Sequence, residues 1–301
     1  MQKHILKYLM YCERKSCMNK NEKIGELYKE LRLARGLKLK DIATKKLTVS
    51  QLSKFERGQS MLSADRFLLA ISGLNMNFAE FAHAMDDYQP NRLTIFADKL
   101  FTIFISQDVE GFKKFLEEKD GDRTIYDFIE RIIIKNNIKS IEKEYEISFS
   151  EIERLTQYFY SIENWTAYEL YVFGETVSLY STLDLVFLGK VCCERSKKFR
   201  QLDSYVKQYR STLANLISVL ISRNELVYIN FFITELENDL RYSDLFEHAT
   251  LNFFKLYLEY QESAVKDKKR IVQHLQAIRT LGCTELAASF EENFNQWIKK
   301  I

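Results

Sequence analysis

The sequence predicts an all-α protein in two parts, a small N-terminal helical domain followed by a long run of further helices. Three observations predict it. Turn formers are scarce, with 1 proline and 9 glycines in 301 residues, whereas sheet-rich folds need turn residues at regular spacing. Apolar residues recur at three- and four-residue intervals along most of the chain, the helical period. Charge is unevenly divided: residues 1–86 hold 16 Lys and Arg against 9 Asp and Glu, a balance of +7, and residues 87–301 hold 28 against 33, a balance of −5. A basic head on a mildly acidic body suits an anionic partner, such as DNA, for the head. With 46% hydrophobic and 29% charged residues, the chain has the composition of a soluble globular protein with a sizeable core.

The first element is an N-terminal extension, residues 1–19. Its apolar block is short, mixes in Lys3, Lys7, Arg14 and Lys15, and lacks a small-residue cleavage site, so it does not read as a signal peptide. Met18 is a plausible alternative start. No run reaches the length of a membrane span. Five scattered cysteines, Cys12, Cys17, Cys192, Cys193 and Cys283, read as free thiols in a reducing cytoplasm. Neither they nor the four histidines show metal-ligand spacing, so no metal or cofactor is expected.

Residues 20–87 form the next unit. A helix over 24–35 carries Ile24, Leu27, Tyr28 and Leu31 on one face and stops at Gly36. A short helix over 37–43 carries Leu39, Ile42 and Ala43, and a tight turn follows at 44–47. Thr48, with Gln51 three residues on, reads as a capping box for a third helix that ends at Gly58, a glycine placed to close a helix. A fourth helix, about 64–72, should bury Phe67, Leu68 and Ile71. A fifth, about 78–86, should bury Phe78, Phe81 and Met85 behind Asn77 as its cap. Two short helices joined by a tight turn inside a five-helix domain are a helix-turn-helix arrangement.

In the third helix, Leu52 and Phe55 point to the core, which turns Ser50, Lys54 and Arg57 outward with Gln51 and Ser53 at the flanks. These side-chain types read base edges in the major groove: Gln pairs with adenine, Lys with guanine, and Ser with either. The capped helix start adds backbone N–H groups suited to a phosphate. Arg32, Arg35, Lys38, Lys45 and Lys46 lie on neighbouring elements, where they are expected to meet backbone phosphates.

Asp86-Asp87-Tyr88-Gln89-Pro90 ends this pattern, since proline cannot continue a helix. Over residues 91–301, helices are expected at about 92–106, 108–118, 122–139, 148–162, 165–173, 175–198, 201–222, 224–240, 244–261, 264–281 and 283–299. Ile125, Phe128, Ile129, Ile132 and Ile133 form an apolar stripe, and Ser148 with Glu151 forms another capping box. Successive helices joined by short links pair antiparallel and read as an α-solenoid of repeats near 40 residues. An irregular helical bundle fits the same pattern. There is no P-loop, dinucleotide-binding glycine pattern, His-Glu-x-x-His or nucleophile elbow, so the expectation is not an enzyme.

Residues 24–74 resemble the lambda-repressor/Cro-type (XRE) helix-turn-helix. Leu52-Ser53-Lys54-Phe55-Glu56-Arg57-Gly58 resembles its LSxxExG signature. Together with the phrase from Trp165 to Leu170, the whole chain resembles the Rgg/GadR/MutR regulators of Firmicutes. That resemblance implies a homodimer, a TPR-like C-terminal domain for sensing and dimerisation, and control by a short hydrophobic signalling peptide. Some relatives carry a cysteine that crosslinks two DNA-binding domains; Ala64 stands at the matching position here, so no such disulfide is expected. Two-fold symmetry would imply a palindromic operator in double-stranded DNA. Candidates to line a peptide site are Tyr168, Tyr171, Glu175, Arg210, Asn215, Tyr228, Asn230 and Phe231, chosen by side-chain type and approximate place. The alternative is that the helical domain binds a partner protein or senses a stress cue.

Overall fold

A computed structural model describes residues 20–119 and 121–299. The N-terminal extension expected at 1–19 lies outside the described residues. Among the described residues all regular structure is helical. The chain divides into two compact units, up to Lys99 and from Leu100 onward.

In the first unit, α1 spans Lys20–Ala34, α2 Leu39–Ile42, α3 Val49–Glu56, α4 Ala64–Gly73 and α5 Phe78–Met85. Each boundary has a local cause. The turn between α2 and α3 is closed by a reciprocal pair, Thr44 N–H to Leu47 O at 2.8 Å and Leu47 N–H to Thr44 O at 3.2 Å. The Thr48 capping box forms as expected: the Gln51 N–H donates to Thr48 Oγ1 at 3.2 Å, and the Thr48 N–H donates to Gln51 Oε1 at 2.9 Å. Asn77 caps α5 through the Glu80 N–H at 2.9 Å. α3 ends at Gly58, whose φ of 67° lets the Gln59 N–H return to Lys54 O at 2.9 Å.

The core of this unit gathers Tyr28, Ile42, Leu47, Leu52, Phe55, Ala70, Ile71, Leu74 and Phe81. Tyr28, Phe55, Phe67 and Phe81 form a chain of edge-on and tilted ring contacts at 5.3–5.8 Å, the geometry aromatic quadrupoles favour. α1 lies so close to α3 that a Cβ on Gly25 would stand 2.1 Å from Phe55 O. Three expected core residues are exposed instead: Leu68 by 52%, Phe78 by 55% and Met85 by 41%. The inward stripe of α4 is Phe67, Ala70, Ile71 and Leu74, which leaves Leu68 about 100° off it. In α5 the inward pair is Phe81 and Ala84.

A buried charge pair ties the unit together. Arg32 Nε donates to Glu56 Oε1 at 2.6 Å, its Nη2 to Oε2 at 2.8 Å, and its Nη1 to Leu37 O at 2.6 Å. One side chain thereby joins α1, the α1–α2 turn and the end of α3.

α6, Arg92–Ile105, carries the chain across the division between units. The second unit continues with α7 Val109–Glu117, α8 Ile125–Ile141, α9 Phe149–Ser161, α10 Ala167–Thr176, α11 Thr182–Arg195, α12 Asp203–Ser222, α13 Ile229–Asp239, α14 Leu245–Glu262, α15 Lys269–Thr280 and α16 Thr284–Ile298. Thr124, Ser148, Thr166 and Ser181 cap α8 to α11 with their hydroxyls. The helix expected over 175–198 is interrupted. α10 runs through Thr176, a 3-10 turn covers Val177–Leu179, and α11 starts after Ser181. The break places Tyr180 in the core, its hydroxyl 3.0 Å from Thr176 Oγ1. The helix expected at 264 begins only at Lys269.

α8, α10, α12 and α14 pack successively side by side, each against the next, while α7, α11 and α13 pack across this row. That i-to-i+2 arrangement is the stacking of a helical repeat. α12 is its axis, with ten buried residues from Tyr205 to Ile221, and α16 also returns to it.

Replacing Glu56 with Ala leaves the Arg32 guanidinium buried and uncompensated. The N-terminal unit should lose about 3–5 kcal/mol in urea unfolding of the full chain. The double change Arg32→Met/Glu56→Leu, which removes both charges, should recover most of it.

Candidate nucleic-acid interface and ligand surface

The outward face of α3 carries Ser50, Lys54 and Arg57 fully in solvent, with Ser53 half-buried between them. Arg57 Nε donates to Ser53 O at 3.2 Å, which lays its guanidinium along the helix. Gln51 is half-buried at the flank. Its amide oxygen is held by the Thr48 N–H, so the two-bond pairing with adenine expected of it would require opening the cap. Only its amide N–H₂ is left for a ligand.

Lys38, Lys45 and Lys46 are exposed on the links that flank α2, and Arg35 is exposed at the end of α1, with Nη1 on Leu31 O at 2.9 Å. Arg32 is different. It was expected on the phosphate-facing surface, but its guanidinium is buried and spent on Glu56 and Leu37 O. Its function is structural. The structure adds Arg66, which the sequence reading missed: Arg66 Nε donates to Lys46 O at 3.1 Å from α4, bringing a further cation beside Lys46. Arg66 lies 20 residues from that partner, so no local pattern marked it.

In the second unit the structure brings together four of the residues expected to line a ligand site and places the others elsewhere. Tyr168, Tyr171 and Glu175 lie along α10. Tyr168 meets Tyr126 of α8 edge-on at 5.4 Å. Tyr171 is half-buried, and burial together with the nearby Glu175 and Glu130 carboxylates pushes its hydroxyl well above the ordinary tyrosine range. Asn215 of α12 donates to Gly174 O at 3.2 Å. Asn136 of α8, which the sequence reading did not single out, donates to Glu175 O at 2.7 Å and accepts from Ser178 Oγ at 3.0 Å. Side chains from α8 and α12 therefore converge on the carbonyls of one turn of α10. Burial alone raises the pKa of the Glu175 carboxyl, which has no ion pair among the described residues.

Arg210 does not join this group as a free cation. It is buried in ion pairs with Asp239 at 2.8 Å and Asp244 at 2.6 Å. It forms one wall of a cleft of about 680 Å³ with Lys207, Arg241, Leu245 and Phe246. Tyr228 is half-buried in the 3-10 turn before α13, and Asn230 and Phe231 are exposed on α13 itself. Phe231 pairs with Lys190 of α11, whose ammonium stands 5.6 Å from the ring centroid. Cys192 and Cys193 are buried on α11, and burial pushes both thiols up, that of Cys193 to about 11. No group of His, Cys, Asp and Glu among the described residues could hold a metal ion, and no helix is long and apolar enough to cross a membrane.

Residues 113–292 match the family model for the C-terminal domain of the HTH-type transcriptional regulator Rgg, and residues 29–81 match a helix-turn-helix model. Among solved structures, the Streptococcus dysgalactiae SHP pheromone receptor Rgg2 is similar at 23% identity and a TM-score of 0.76, over 92% of this chain and 100% of that one. The PrgX/cCF10 complex is similar at 15% identity and 0.69, over 92% and 93%. The PrgX/iCF10 complex gives 14% and 0.70, over 92% and 97%. At these identities the likeness to the solved structures establishes a shared fold.

The Glu175 carboxylate carries a burial cost that is present in full above its raised folded-state pKa and is relieved as pH falls toward the unfolded value. Glu175→Gln should therefore raise the thermal midpoint by a few degrees at pH 8, and the gain should shrink as the pH is lowered toward 4. Equal midpoints at both ends would mean that the carboxylate is solvated or paired.

Proposed function

The chain belongs to the Rgg family of helix-turn-helix transcriptional regulators, and on that premise we propose that it is a cytoplasmic homodimer that binds a palindromic operator and answers to a short hydrophobic signalling peptide. Residues 20–87 are the reading head, and residues 91–301 supply sensing and dimerisation. The observation that carries the DNA half is the outward face of α3. Ser50, Lys54 and Arg57 stand in solvent on a helix capped at its start and pinned from behind by Arg32. Arg35, Lys38, Lys45, Lys46 and Arg66 surround it as phosphate contacts.

The peptide half rests on family membership, on neighbours solved as peptide complexes or described as a pheromone receptor, and on the Tyr168–Tyr171–Glu175–Asn215 surface. Asn215 offers an amide to a peptide main chain, and the tyrosines offer half-buried rings. A peptide controls DNA binding by as much as its affinities for two arrangements of the dimer differ.

In fluorescence anisotropy with a duplex from the gene's own upstream region, Ser50→Ala/Lys54→Ala/Arg57→Ala should weaken binding on the order of 100-fold or more. Lys45→Ala/Lys46→Ala should instead weaken binding to all sequences and flatten the log K against log salt slope by about 2. Binding that ignores sequence, or an unaffected triple variant, would sink the assignment of α3. For the sensor, synthetic peptides from short hydrophobic reading frames beside the gene should shift operator affinity. Asn215→Ala should reduce peptide affinity about tenfold. If no such peptide shifts it, the helical unit answers to a partner protein or another cue.

A further inference from the structure

The first turn of α3 holds an apolar side chain with no place in the core. Val49 is the first residue of the helix and is 44% exposed, whereas Leu52 and Phe55, the other apolar residues of the helix, are fully buried. At 100° per residue, Val49, Ser53, Arg57, Ser50 and Lys54 fall within one arc of about 140°. The opposite side is taken by Leu52, Phe55 and the buried Glu56.

A single exposed aliphatic residue is ordinary on a protein surface. What distinguishes Val49 is its position and its neighbours. The N-terminal turn of a recognition helix approaches base edges most closely. In that turn Thr48 and the Gln51 carbonyl are bound to each other in the cap. The groups left to meet a base are the isopropyl of Val49, the hydroxyl of Ser50 and the Gln51 amide N–H₂. In the major groove the apolar feature of a base pair is the C5-methyl of thymine.

We infer that Val49 reads the C5-methyl group of a thymine in each operator half-site, giving the first turn of α3 an apolar base contact beside the polar ones at Ser50 and Lys54. This rests on the reading of α3 as the DNA-recognition helix.

Deoxyuridine tests it, because it differs from thymidine only by that methyl group and keeps the same hydrogen-bonding edge. The duplex is an operator selected by the full-length protein from a randomised pool, with each thymine of the half-sites replaced symmetrically, one position at a time. At one position, deoxyuridine should weaken binding by the wild-type protein about fourfold per half-site, the worth of one buried methyl group. Val49→Ala, which favours the helix, and Val49→Ser should bind the thymine and deoxyuridine duplexes equally at that position and keep the wild-type response at every other. The inference is overturned if no half-site thymine shows the effect, if the penalty persists in both variants, or if the selected half-sites hold no thymine. Selection that returns no preferred sequence overturns the DNA-recognition reading of α3 as well, and is told apart by the absence of any operator.

Discussion

The two-point contact between the Arg32 guanidinium and the Glu56 carboxylate is the constraint on which the N-terminal unit depends. A planar fork meeting a carboxylate fixes distance and angle together, so it sets both the separation of α1 from α3 and the rotation of α3 about its axis. The same guanidinium holds Leu37 O, the carbonyl at which the chain turns toward α2. Closeness at the other end of the contact is secured by Gly25, where any side chain would run into Phe55 O. A buried ion pair adds little net stability over an apolar pair of the same shape. Its physical contribution here is orientation: with α3 rotated in its seat, Leu52 and Phe55 would leave the core and the polar face would turn away from solvent.

That constraint also explains the sequence signature. In Leu52-Ser53-Lys54-Phe55-Glu56-Arg57-Gly58, the defining Leu fills the core, the Glu closes the ion pair, and the Gly adopts the left-handed backbone that ends the helix. The signature is thus mostly a description of how α3 is mounted. Lys54 and Arg57 occupy its unspecified positions and stand in solvent.

What was legible in the sequence was local. Capping at Thr48, Asn77 and Ser148 could be read because donor and acceptor lie three residues apart. The tight turn, the glycine stop and the apolar stripe of α8 could be read for the same reason. Features that depend on distant partners could not. Arg32 looked like a surface cation because its carboxylate is 24 residues away, and Arg210 looked like a ligand contact because Asp239 lies 29 residues on. Leu68, Phe78 and Met85 were expected inside because apolar identity does not say which of two overlapping stripes faces inward. The break between α10 and α11 has no proline or glycine to announce it. Ser181 with Asp184 three residues on was the available sign of a new helix start. In the second unit the fold was more legible than the site, since α8 and α12 meet α10 through side chains bonded to main-chain carbonyls. Asn136 to Glu175 O, Asn215 to Gly174 O and Thr212 to Leu170 O are pairings between residues about 40 apart. A ligand that takes the Asn215 amide does so in competition with the tie between α10 and α12, so occupancy and helix packing are coupled at that point.

The engagement of Gln51 in the cap has an evolutionary corollary. The side chains that mount α3 (Thr48, Gln51, Leu52, Phe55 and Glu56) and those that meet solvent (Val49, Ser50, Ser53, Lys54 and Arg57) are separate sets. Drift in the second set can rewrite the address that the helix recognises while the scaffold stays intact, so duplicated copies of such a gene can diverge toward mutually insulated targets by a handful of substitutions. The same partition gives the protein engineer five positions to randomise and five to leave alone.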